Sequence, residues 1–241
     1  MTGSGQSRRD EITHNLAAVK ARIAAACDAA GRSPEEVTLT VVTKFFPASD
    51  VRLLADLGVT DVGENRHQEA EAKAAECADL GLRWHFIGGL QSNKAAAVAL
   101  YADVVESVDR VKVVGPLSRG AHSRGRDRTA DVDVLLQVSL DPPGAGNRSG
   151  ADPADLADLA ARLGDAGLLR LRGLMAVAPL GEDPQSAFAR LAGIRRDFLA
   201  DHPEATVLSA GMSGDLEAAI AHGATHVRVG SAVLGPRPAV Q

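Results

Sequence analysis

Residues 37–47 read "VTLTVVTKFFP". Val37, Leu39 and Val41 alternate with Thr38, Thr40 and Val42, the period-two pattern of a strand whose successive side chains face opposite ways. The more apolar of the two faces is the one expected to pack against covering helices. Thr38, Thr40, Val42 and Lys44 then share the other face, and Lys44 stands just beyond the strand's end. Pro47 closes the stretch. A long cation beside Phe45 and Phe46, at the tip of a hydrophobic strand, requires a reason.

Similar runs recur along the chain. Strands are expected at 37–43, 59–63, 83–88, 102–108, 132–140, 171–177, 206–210 and 225–230. Ala-rich helical stretches separate them at 49–57, 65–80, 92–100, 152–164, 184–200 and 213–222. Ahead of them, residues 10–30 form a helix with Ile12, Leu16, Val19 and Ile23 on one stripe and Gly31 as its stop. Residues 1–9 read as a disordered tail. Parallel neighbours need crossover helices, so this alternation predicts a parallel sheet. Eight such units in 241 residues fit an α/β fold, a closed (β/α)8 barrel with an additional N-terminal helix, as a single domain over 10–241. The rival, an open doubly wound sheet, would carry a glycine-rich first turn, and no GxGxxG or GxxxxGK[ST] follows any strand.

Composition narrows the function. The formal net charge is −5 and aromatics make up 3% of the chain, which favours neither nucleic acid nor an anionic membrane. The basic stretch 119–128, with Arg119, Arg124, Arg126 and Arg128, lacks interleaved aromatics and reads as a solvated loop. Residues 141–150 read as a second, long loop. Cys27 and Cys77 read as reduced, partly buried thiols. No signal peptide or membrane-length apolar run occurs, so a cytoplasmic protein is expected. The histidines never take a metal-site spacing.

In such a barrel, ligand-handling residues lie at the carboxyl ends of strands and in the loops that follow. Lys44 meets that condition. Desolvation there would lower its pKa and leave an amine able to form a Schiff base; the alternative is a lysine that snorkels to solvent. "VLSAGMSGDLEAAIAHGATHVRVGSAVLG" (207–235) runs strand, loop, helix, strand, loop, and the last two loops are the usual phosphate cradle of this fold. Ser213 reads as an N-cap, Ser209 and Ser213 as hydroxyl donors, and Gly230–Ser231 as a small turn that lets backbone amides approach a ligand. Asp215 and Glu217 are expected on the solvent side. Arg228 shares an inward face with His226, and a buried guanidinium needs a partner: a carboxylate such as Glu64 or Glu106, or a ligand acceptor. Lysine, phosphate cradle and buried arginine together match the aldehyde, phosphate and ring nitrogen of pyridoxal 5'-phosphate. Asn65 can cap the next helix or bond a ligand, and His85 reads as a satisfied core histidine.

With "VVTKFFP", "GENRHQEA", "WHFIGGLQSNK", "LRGLMAVAP", "LSAGMSGDLEAAI" and "VRVGSAVLG" in this order, the chain resembles the pyridoxal phosphate homeostasis protein family from about residue 10 to 235. The resemblance implies a barrel like the alanine racemase N-terminal domain that holds pyridoxal 5'-phosphate as a lysine aldimine. It implies a role in vitamin B6 and amino-acid homeostasis without well-defined turnover. Carried over by position, the aldimine lysine is Lys44 and the ring-side asparagine Asn65. Ser209, Ser213, Gly230 and Ser231 meet the phosphate, Arg228 the pyridine nitrogen, and Met175 and Met212 lie near the cofactor. Phe45, Gly89 and Ser231 depart from the residues usual in that family. PLP-dependent apoenzymes are the implied partners, and a monomer is expected. The competing reading is an enzyme, either a weak racemase or a Schiff-base lyase. It is disfavoured because Arg228 can only donate hydrogen bonds, and the single tyrosine, Tyr101, falls on a helix away from the strand ends.

Overall fold

Alternation along each strand becomes a closed surface in three dimensions. The computed structural model describes residues 3–124, 131–142 and 150–237. Its strands are β1 (Thr38–Val42), β2 (Asp61–Glu64), β3 (Arg83–Phe86), β4 (Val104–Val108), β5 (Val132–Gln137), β6 (Leu169–Met175), β7 (Val207–Ser209) and β8 (His226–Val229). Each pairs in parallel with the next, and β1 pairs with β8 to close the barrel. The closing register sets Thr38 beside His226 and Thr40 beside Arg228. The helices are α1 (Gly3–Ala29), α2 (Ala48–Asp56), α3 (His67–Glu76), α4 (Ala95–Tyr101), α5 (Val111–His122), α6 (Leu156–Gly164), α7 (Pro184–Asp201), α8 (Leu216–Ala221) and α9 (Ser231–Leu234).

The main core lies between strands and helices. Val41, Val62, Val105, Val134, Leu136, Leu174 and Val227 point outward from the barrel and are fully buried beneath the helices. Each such side chain contributes about 1.5–3 kcal/mol relative to exposure. Inside the barrel the apolar content is small, a cluster of Val104, Leu135 and Met175. Apart from Val42 near the mouth, much of the remaining interior is polar, with Thr40, His85, Glu106, Ser209 and Arg228 all buried.

The N-terminal helix extends further than its sequence pattern indicates. It begins at Gly3, so residues 3–9 are helical and not the expected tail. Arg8 explains part of this, because its guanidinium bonds both Asp50 at 2.6 Å and the Leu234 carbonyl at 2.9 Å. The stripe Ile12, Leu16, Val19 and Ile23 is buried as expected. Further along, Asn15 bonds the Val233 carbonyl, and Arg22 bonds the Ser213 carbonyl at 3.0 Å and Glu217 at 2.8 Å. One helix thereby ties down the segments that follow β7 and β8.

The basic stretch 119–128 starts as helix instead of loop, since α5 runs to His122. Close approach obscures α5 in the sequence: a Cβ on Gly120 would stand 2.1 Å from the Ala96 carbonyl oxygen, so the crossing with α4 demands glycine. Arg124 turns back to bond the Ala102 carbonyl at 2.7 Å. Residues 125–130 and 143–149, which hold the end of the first expected loop and most of the second, lie outside the described residues. Cys27 and Cys77 are free and buried.

Candidate functional site

Lys44 sits in a tight turn that the helix after β2 holds in place. Phe46 N–H closes the turn on the Thr43 carbonyl at 3.0 Å. Lys73 of α3 donates to the same carbonyl at 2.7 Å and to Glu64 at 2.5 Å, and pairs with Glu69 at 2.8 Å. Glu64 also accepts from the Thr43 hydroxyl at 2.7 Å, and Glu69 accepts from Phe45 N–H at 2.6 Å. Burial pushes the Glu64 carboxyl up, against the pull of Lys73. Glu64 therefore faces α3 and is not the partner of Arg228.

Phe45 has φ of 73°, a left-handed conformation at the turn position usually given to glycine or asparagine. Such a residue costs on the order of 1–3 kcal/mol. Compensation comes from its ring, which carries the guanidiniums of Arg66 and Arg237 each 4.8 Å from its centroid. Cation–π contacts of this kind supply roughly 0.5–1 kcal/mol apiece at exposed sites. The phenylalanine beside the lysine thus serves as a platform for two arginines.

A cavity of about 280 Å³ opens above Lys44 at the carboxyl ends of β1, β7 and β8. Val42, Phe45, Phe46 and Ile87 form its apolar side; Met212, Ser213 and Gly214 enter after β7, and Arg228, Gly230 and Ser231 from β8 and its loop. No carboxylate stands among the described lining residues, whereas Lys44, Arg228 and Arg237 all contribute positive charge. Desolvation lowers the Lys44 pKa, and the charges of Arg237 and Arg66 push the same way against a smaller opposing pull from Glu64. The amine is accordingly biased towards its neutral, nucleophilic form.

Beneath the cavity, Arg228 ends a buried chain of polar groups. It donates to the Ser209 hydroxyl at 2.6 Å and to the Ala176 carbonyl at 2.9 Å. Ser209 donates in turn to Glu106 at 2.6 Å, and Glu106 lies 3.8 Å from Arg228. His85 bridges Glu106 at 2.7 Å and Asp61 at 2.8 Å through its two ring nitrogens. Burial opposes a charged ring, but the hydrogen bonds to Asp61 and Glu106 outweigh it and raise the His85 pKa to about 9. Burial likewise opposes the Glu106 charge, yet His85, Arg228 and Ser209 hold it down at about 2. For Arg228, burial pushes down and Glu106 opposes it; a guanidinium keeps its charge regardless.

Of the nine residues singled out in the sequence, Lys44, Met212, Ser213, Arg228, Gly230 and Ser231 line one cavity. Ser209 and Met175 are buried and do not line it, and the Ser209 hydroxyl is engaged by Glu106 and Arg228. Asn65 is exposed after β2 and packs so closely on Gly88 that a Cβ there would stand 2.1 Å from its carbonyl oxygen. It does not cap α3, whose N-cap is Arg66. Nor does Ser213 cap α8, whose N-cap is Asp215. Asp215 accepts from Met212 N–H at 2.6 Å and Glu217 pairs with Arg22, so neither carboxylate enters the cavity. Sequence reasoning missed Arg237, Lys73 and Glu69. The spacing of Glu69 and Lys73, four apart on one helix, was a signal for the last two.

Among the described residues no group of three or more His, Cys, Asp or Glu could hold a metal ion, and no helix is long and apolar enough to cross a membrane. The sequence matches the family described as alanine racemase, N-terminal domain, over residues 8–238. A protein of Mycobacterium tuberculosis named pyridoxal phosphate homeostasis protein is 45% identical over 249 residues, covering 95% of this chain and 94% of its own. The Escherichia coli protein of the same name is 38% identical over 238 residues, covering 95% and 97%. PipY of Synechococcus elongatus, solved with PLP bound, is 36% identical, covers 93% of this chain and 100% of its own, and has a TM-score of 0.78. By its sequence and its closed barrel alike, the chain belongs to the pyridoxal phosphate homeostasis protein family.

Proposed function

We propose that the cavity above Lys44 binds pyridoxal 5'-phosphate and that the chain holds this cofactor, in vitamin B6 and amino-acid homeostasis, without strong turnover. One observation carries the reading: a lysine of lowered pKa and two arginines converge on a lining that has no carboxylate among its described residues. Uncompensated positive charge calls for an anion, and an amine whose pKa burial lowers is suited to a carbonyl. This cofactor supplies both.

The small residues fit the phosphate. A Cβ on Gly230 would meet the Val42 carbonyl at 3.2 Å, so glycine suits this position and leaves the backbone beside Ser231 open. An added Cβ on Gly214 would meet nothing within 4 Å, leaving room above the loop. Ser213 and Ser231, with the unpaired first amides of the segment after β8, would hold the phosphate. Lys44 would take the aldehyde, Met212 would flank the ring, and Asn65 remains the proposed ring-side group. Ser209 and Met175 would act from below, Ser209 by holding Arg228.

Once bound, the cofactor supplies an electrophilic carbonyl and a ring that can spread negative charge. Arg228 works against the second property. It offers donors only, so it favours an unprotonated ring nitrogen. Among the described lining residues there is also no base on the opposite face. Tyr101, the single tyrosine, ends α4 and stacks on His67 at 5.9 Å, and burial pushes its pKa up. Holding is favoured over racemisation. A cytoplasmic monomer that passes its cofactor to apoenzymes belongs to the same proposal.

The test is the purified protein's visible absorbance, followed by borohydride reduction and mass mapping of the modified peptide. The cofactor's mass on Lys44, absent from Lys44→Ala, is expected. A colourless protein that cannot be loaded, or label on another lysine, overturns the reading. Incubation with L-alanine in heavy water separates holding from racemisation, since turnover-scale α-deuteration would make the protein an enzyme.

A further inference from the structure

The buried histidine of β3 has no part in the pocket's lining, yet it belongs to the chain of contacts that ends on Arg228. Two carboxylates, Asp61 and Glu106, accept at its two nitrogens at 2.8 and 2.7 Å. A carboxylate can only accept, so both nitrogens must carry protons and the ring must be an imidazolium. A neutral ring would leave one buried carboxylate oxygen facing a lone pair. The charges then alternate along the barrel interior: Asp61 negative, His85 positive, Glu106 negative, Arg228 positive. The chain ends on a guanidinium, which cannot release a proton at any working pH, so it does not conduct protons. What it sets is potential.

We propose that His85 is a positioning residue for Arg228: by engaging Glu106 from behind, its imidazolium keeps that carboxylate from neutralising the guanidinium, which then presents its positive charge to the pocket. This rests on the pyridoxal 5'-phosphate reading of the pocket. The geometry agrees, because Glu106 gives one oxygen to His85 and the other to Ser209, and stays 3.8 Å from Arg228 instead of closing on it. Further charged and titratable groups surround this chain. β2 contributes Asp61, itself bonded by the Thr60 hydroxyl at 2.7 Å. Arg83 of β3 lies near Asp61 and His226. β4 contributes Glu106, and from β8 come Arg228 and His226, whose ring centroid lies 6.3 Å from that of His85. Burial keeps His226 at about 4, so it adds no competing charge near neutral pH. Asp215 also pulls on Arg228, from the loop side.

His85→Gln keeps a hydrogen-bonding side chain and removes the charge. Glu106 then faces Arg228 alone, the positive potential at the pocket falls, and the bound cofactor's ring nitrogen should hold a proton more readily. Its apparent pKa, read from absorbance against pH, is expected to rise by about one unit or more, the scale set by one uncovered charge several ångströms away. His85→Gln combined with Glu106→Gln removes both charges and should return the spectrum towards that of the wild type, a compensation that lost packing cannot produce. Nitrogen-15 shifts of His85 in the cofactor-free protein should show both ring nitrogens protonated at pH 7. A folded, loaded His85→Gln protein with an unchanged titration, or a neutral His85 ring, overturns the inference while leaving cofactor binding intact. If His85→Gln does not fold, Asp61→Asn weakens the clamp from the far side, and the cofactor spectrum must then become pH-dependent below about 9, the folded value for His85. A flat profile in that variant is equally fatal. A wild-type protein that cannot be loaded at all fails the reading of the pocket instead.

Discussion

The Lys73 ammonium donates to the Thr43 carbonyl at 2.7 Å, so a side chain of α3 fixes the backbone immediately before Lys44. The same nitrogen pairs with both Glu64 and Glu69, and Glu69 in turn holds the Phe45 amide. The Lys44 amine is therefore aimed from the neighbouring βα unit and not from its own strand.

Lys73→Met should lose far more than a surface ion pair. Glu64 is fully buried and would be left without its cation, and removing one partner of a buried pair costs about 3–5 kcal/mol. Denaturant unfolding should show that loss. Cofactor affinity should fall as well, because the turn that presents Lys44 loosens. A variant as stable as the wild type would show that the cluster does not restrain this turn.

Arg237→Gln removes the second-largest influence that lowers the Lys44 pKa, after desolvation. The amine's pKa rises, a smaller fraction is neutral near pH 7.5, and association with pyridoxal 5'-phosphate should slow a few-fold. Raising the pH should restore the rate. Stopped-flow absorbance across pH 7–10 checks this, and a rate profile superposable on the wild type counts against the role of Arg237.

Stability should fall on both sides of near-neutral pH for different reasons. The His85 pKa is raised to about 9 when folded, so its contribution is complete below its unfolded value of about 6.5 and is lost as pH climbs through 9. His226 is held down at about 4, so stability is lost as pH falls from about 6.5 towards that value, where only the unfolded chain takes the proton. Thermal melts of His85→Gln should lose the alkaline slope and keep the acid one. An unchanged alkaline limb would contradict a charged His85.

Ser209 and Ser231 should separate cleanly. Ser231→Ala removes a hydroxyl from the cavity lining and should weaken both pyridoxal 5'-phosphate and inorganic phosphate with little change in melting temperature. Ser209→Ala leaves Glu106 and Arg228 without their shared hydroxyl and should cost about 1–3 kcal/mol in stability. Equal effects on phosphate affinity in the two variants would mean that Ser209 reaches the phosphate directly.

The barrel could be read from residue order because its determinants are local. A period of two in the strands and of 3.6 in the helices, repeated along the chain, leaves few topologies. Lys44, Ser213, Arg228, Gly230 and Ser231 were visible for the same reason: each sits where a strand face or a strand-end loop must point to the mouth. Pairing is different, since it depends on which side chains barrel closure brings together. Glu64 and Glu106 were equal partners for Arg228 until closure turned Glu64 towards Lys73 and set Glu106 inside, bonded to Ser209 103 residues away. Ser209 looked like a phosphate ligand for want of that neighbour, and the N-terminal tail looked disordered because Asp50 and the Leu234 carbonyl meet Arg8 only in the folded barrel. Local pattern decided where the side chains point; the charge each one meets was decided by tertiary structure, because electrostatic partners are chosen by distance in space and not along the chain.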